Sequence, residues 1–106
     1  MKKLKVYIKK PNEEGFVERI GSKYKDFAKY IGENAFINSF ILNDIAVYVG
    51  VDEFGNPYLG KFNCEICGVP LYGPLIFVGS NLFGCTKSLT ESQIIRIKKL
   101  FTQEAI

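Results

Sequence analysis

Apolar residues recur along this chain with two different periods, and together these limit the folds open to it. From Lys3 to Lys9 the alternation is strict, with Leu4, Val6 and Ile8 on one side and Lys3, Lys5, Tyr7 and Lys9 on the other. That is the period of a strand covered on one face. Towards the other end, Ile94, Ile97, Leu100 and Phe101 follow the three-and-four spacing of a helix lying on a core. A chain holding both periods needs a sheet with helices packed against it.

The rest of the pattern fills in this α+β outline. Pro11-Asn12-Glu13-Glu14-Gly15 has turn chemistry, and the β-branched and aromatic run from Phe16 to Ile20 predicts a returning strand. Ser22 is an expected N-cap for a short helix whose stripe is Tyr24, Phe27, Ala28 and Ile31, with Gly32 ending it. Two further strands are expected from Ala35 to Leu42 and from Ile45 to Val51, turning at Asn43-Asp44. Residues 58 to 74, rich in glycine and proline, read as irregular loop before a buried strand at Leu75-Ile76-Phe77-Val78. The last helix has the clearest start. Thr90-Glu91-Ser92-Gln93 fits a capping box, Leu89 and Ile94 are spaced for a hydrophobic staple, and Arg96, Lys98 and Lys99 suit the helix dipole. The expected order is β-β-α-β-β-β-α, a mainly antiparallel sheet of about five strands with two helices.

At 106 residues the chain has the size of one domain, and no linker or repeat breaks it, so residues 1–106 are read as a single domain. Hydrophobic residues at 47% and charged residues at 24% exclude a disordered chain. Lysines interrupt the apolar positions near the N-terminus, and no run is long enough for a signal peptide or membrane span. A cytoplasmic protein that avoids membranes is expected.

Chemistry is sparse. Histidine is absent, which excludes any nucleophile activated by a histidine base. Asp44, Asp52 and Glu53 fall at expected turns and form no acid–base pair in the sequence, so no enzyme activity and no cofactor are expected. Cys64-Glu65-Ile66-Cys67-Gly68 spells the turn of a zinc knuckle, and Cys85 offers a third thiolate. Three thiolates without histidine leave the metal one ligand short, so Cys64, Cys67 and Cys85 are read as reduced thiols with no metal. Gly79 to Thr86 approaches a phosphate-binding loop, but Cys85 stands where that loop needs lysine, and a plain connection is the better reading. Lys2, Lys3, Lys5, Lys9 and Lys10, interleaved with Tyr7, could track a nucleic-acid backbone. Lysines on the solvent face of a strand near the sheet edge, where they discourage aggregation, are the simpler account.

Several fragments, taken in order, resemble one small family. They are Lys5 to Pro11, Phe16 to Ile20, Ile31-Gly32, Val51 to Pro57 with Asn63, Gly73 to Gly79, and Ser88 to Ile94. The family is the phage- and plasmid-associated domain of unknown function number 3846, and the likeness spans nearly the whole chain. The resemblance implies a small accessory protein of a bacterial mobile element and carries over no activity, cofactor or catalytic residue. Cys64 to Cys67 departs from the family pattern. With no chemistry in view, the expected function is binding of a protein partner, through an exposed sheet face or the aromatic-rich loop from Tyr58 to Tyr72. Tyr58, Phe62 and Tyr72 are the candidate anchors. The alternative is a nucleic-acid-binding module, with or without a cysteine-based zinc knuckle.

Overall fold

A computed structural model describes residues 3–32, 36–56, 60–81 and 86–102. Strands β1 (Lys3–Lys9) and β2 (Phe16–Gly21) form an antiparallel hairpin, and helix α1 (Tyr24–Ile31) follows. Strands β3 (Phe36–Leu42) and β4 (Ile45–Val51) make a second hairpin around Asn43-Asp44. Then come β5 (Phe62–Ile66) and β6 (Val69–Tyr72), which pair only with each other, β7 (Leu75–Ser80), the short β8 (Thr86–Lys87) and helix α2 (Glu91–Thr102). The main sheet runs β2-β1-β7-β4-β3, with β8 beside the end of β7, and every pairing is antiparallel. The class is α+β, as the two apolar periods require.

All six residues of β7 are buried, and they explain the layering. Ile76 and Val78 join Val6, Ile8, Ile20, Ala46, Phe27 and Ile31 in one core, under α1. Leu75 and Phe77 join Tyr7, Val47, Val49, Ile94 and Ile97 in the other, which α2 and the β5–β6 hairpin cover. The middle of the sheet is therefore covered on both faces. This corrects the half-buried reading of β1: Tyr7 is 4% exposed rather than facing solvent. Nor does β1 lie at an edge, since β2 and β3 hold those places.

The stretch read as irregular loop is the β5–β6 hairpin, and its turn explains why. Cys67 and Gly68 both have positive φ, 52° and 81°, the left-handed pair that a two-residue hairpin turn demands. Glycine meets that demand without strain, so the Cys67-Gly68 half of the knuckle-like spelling is turn chemistry. Pro70 is tolerated because β6 has only one neighbour, leaving a missing N–H without consequence on the open side.

The helix starts divide. At α2 the capping box forms as spelled, with Thr90 Oγ1 accepting the Gln93 N–H at 3.2 Å and Gln93 Oε1 accepting the Thr90 N–H at 2.8 Å. The staple residues Leu89 and Ile94 are both buried in the same core. At α1 the N-cap is Lys23 rather than Ser22, and the Asp26 carboxylate accepts the Lys23 N–H at 3.1 Å. Asp26, three residues on, thus supplies the reciprocal half of a capping box, the bond back to the N-cap amide.

Candidate functional site: the outer surface of the β5–β6 hairpin

One side of the hairpin is committed to the core. Cys64, Ile66 and Leu71 are 2–3% exposed and pack on the sheet face beneath. A register shift between Phe62 and Cys64 frees Asn63 to reach sideways. Its Nδ2 donates to the carbonyls of Lys9 and Gly73, each at 2.8 Å, which clips the hairpin to β1. Lys9 Nζ donates to the Lys10 carbonyl at 2.9 Å and to Asn63 Oδ1 at 3.4 Å, and lies 5.4 Å from the centre of the Phe101 ring.

The other side is open and carries the exposed carboxylate of Glu65 alongside apolar side chains. Phe62 is 50% exposed and stands edge-to-face with Tyr72, ring centres 5.5 Å apart. Val69 and Cys67 are exposed at the hairpin's turn, and Lys61 is exposed next to Phe62. In the connection before the hairpin, Phe54 is 81% exposed. It is held there by Asp52, whose Oδ1 accepts the N–H groups of Phe54 and Asn56 at 2.9 and 2.8 Å. Those bonds, the Asn56 one foremost, hold the Asp52 carboxyl below the usual carboxylate range.

Of the three anchors expected from sequence, the structure brings Phe62 and Tyr72 together, and Tyr58 lies outside the described residues. Phe54 was missed, because an aromatic between Glu53 and Gly55 is masked by its turn-forming neighbours. The thiol candidates do not share one environment: Cys64 is in the core, Cys67 is exposed, and Cys85 lies outside the described residues. Among the described residues, no group of three or more His, Cys, Asp or Glu side chains comes together. The lysine stripe is also broken up, since Tyr7 is buried and Lys5 Nζ pairs with Glu91 at 2.7 Å. Lys2 lies outside the described residues.

A groove of about 1010 Å³ lies where the β3–β4 turn, the end of β7 and the start of α2 meet, lined in part by Asp44, Ser80, Gln93 and Arg96. Three of its polar side chains bond to one another. Gln93 Nε2 donates to the Asp44 carbonyl at 2.8 Å and to Asp44 Oδ2 at 3.0 Å, and Arg96 Nη2 donates to the same Oδ2 at 2.9 Å. This is a latch holding α2 to the β3–β4 turn.

The Arg96 hydrogen bond, followed by that of Gln93, holds the Asp44 carboxyl below its usual range. A depressed folded pKa gives stability that is present above the unfolded pKa and lost as pH falls through the folded one. Thermal melts of the wild-type chain and of Asp44→Asn should therefore differ near neutrality. The gap should narrow below about pH 4 as Asp44 becomes protonated. A gap independent of pH would show that the Asp44 charge contributes nothing to the latch.

Comparisons of the chain with family models, with curated proteins and with solved structures found no match. No helix among the described residues is long and apolar enough to cross a membrane.

Proposed function

We propose that this protein is a non-catalytic binding module that recognises a protein partner through the outer surface of the β5–β6 hairpin. On the expectation raised by its sequence, it serves as a small cytoplasmic accessory protein of a bacterial mobile element. The carrying observation is the half-exposed Phe62, set against Tyr72 on a hairpin that Asn63 fastens to the sheet. An aromatic fixed by a rigid support loses little side-chain freedom on binding, which favours it as an anchor.

Affinity capture from the native host, comparing wild-type chain with Phe62→Ser and Ile95→Ser, tests this reading. Ile95 is similarly exposed, at 53%, but lies on α2. The proposal expects one partner, retained by Ile95→Ser and weakened about 30-fold by Phe62→Ser, the effect of a hot-spot loss near 2 kcal/mol. Equal recovery with Phe62→Ser and wild type would overturn it.

A further inference from the structure

The two edges of the main sheet differ in a way that bears on self-association. β2 is blunted by charge: the Glu18 carboxylate accepts the Arg19 N–H at 3.1 Å, so that amide points out of the sheet and is already occupied. By the two-residue alternation, Val17, Arg19 and Gly21 are then its outward-bonding positions. A two-fold pairing of two β2 strands centred on that set places Arg19 opposite Arg19 of the second copy, a direct like-charge contact. β2 is thus an edge that repels its own kind.

The other edge, β3, carries no charge, proline or glycine in the seven residues Phe36-Ile37-Asn38-Ser39-Phe40-Ile41-Leu42. That composition marks a strand ready to pair. Its register with β4 shows which backbone groups are outward. The turn has two residues, so the closing pair Leu42 and Ile45 exchanges both ladder hydrogen bonds. Counting back, Phe36, Asn38 and Phe40 also bond towards β4, and the backbone groups of Ile37, Ser39 and Ile41 point away from it.

This outward set is symmetric about Ser39, the middle residue of the strand. We propose that two copies of the chain pair antiparallel through β3, with the two-fold axis at Ser39. In that register Ser39 opposes Ser39 of the second copy, Ile37 opposes Ile41, Asn38 opposes Phe40 and Phe36 opposes Leu42, with no like charges facing. Among the described strands each copy offers one such edge, so the pairing closes as a dimer, and the charged β2 edges at the far ends stop it extending into a fibre. The two main sheets become one continuous sheet. An edge-to-edge contact of seven residues is smaller than a standard interface of about 1,200–2,000 Å², so the dimer should be weak and concentration-dependent. The inference does not depend on the hairpin's role.

Sedimentation velocity over a concentration series tests it, with circular dichroism and thermal melts to confirm folding. Wild type and Ser92→Lys, whose exposed site lies on α2, should pass from 12.0 kDa to twice that mass. Ser39→Lys should weaken the dimer by about fivefold or more, because two lysines then face each other at the axis. Mixing Ser39→Lys with Ser39→Asp should restore a mixed dimer. Should the variants fold poorly, amide exchange of the wild-type chain gives the second readout: Ile37, Ser39 and Ile41 should gain protection as concentration rises. A monomer at all concentrations, a dimer indifferent to Ser39→Lys in a folded chain, or exchange at those three amides that ignores concentration would each overturn the proposal.

Discussion

Replacing Phe77 by alanine is expected to cost about 3–5 kcal/mol, a large share of the roughly 5–15 kcal/mol that holds a domain of this size. Phe77 is fully buried in the middle of β7, opposite Tyr7 of β1 and Val47 of β4. Its ring meets Tyr7 edge-to-face at 6.0 Å and Phe101 of α2 edge-to-face at 6.0 Å. Truncation therefore opens a cavity at the point where three strands and a helix converge, and the surrounding ladders restrict how far they can close it. The cost should appear in urea denaturation as a fall in midpoint with little change in slope. Phe62→Ala, at a half-exposed ring, is the contrast and should cost less than about 1 kcal/mol. A loss below about 1 kcal/mol for Phe77→Ala would mean that α2 does not pack on the sheet as described.

The second large effect is expected at Gln93, where leucine should cost about 2–3 kcal/mol despite its similar size. Gln93 is 7% exposed, and its amide serves two elements at once. Oε1 caps the Thr90 N–H at the start of α2, and Nε2 holds both the carbonyl and the carboxylate of Asp44. Leucine removes the cap's reciprocal bond and leaves the Thr90 amide without its acceptor, while Asp44 keeps Arg96 and the Ser80 N–H. A double-mutant cycle of Gln93→Leu with Asp44→Ala should show coupling of about 1 kcal/mol, since each partner's loss undoes the same bond. Additive effects would separate the cap from the latch.

Local signals were read well from the sequence, and what they missed has a common cause. The capping box at Thr90–Gln93 was legible because its four residues satisfy each other. Leu75 to Val78 was legible as a buried strand because an uninterrupted apolar run leaves no polar face. The burial of Tyr7 and the inward bonding of Lys9 were not, because the hairpin that covers that end of β1 comes 54 residues later, through Asn63. The hairpin was itself hidden, since Cys67-Gly68 is an unusual spelling of a left-handed turn and Pro70 argues against a strand unless the strand has an open side. At the candidate site, Phe62 and Tyr72 were visible as aromatics, but their contact needs the β5–β6 register that pairs them. Phe54 became a candidate only through its exposure.

Photo-crosslinking tests partner recognition by the hairpin most directly, with a benzophenone side chain placed at position 62 in one chain and at position 95 in another. Irradiated in the native host, the chain modified at position 62 should give one discrete adduct with a partner protein. The chain modified at position 95 should give none with that partner. Adducts with the partner from position 95 but not from position 62 would contradict recognition through the hairpin.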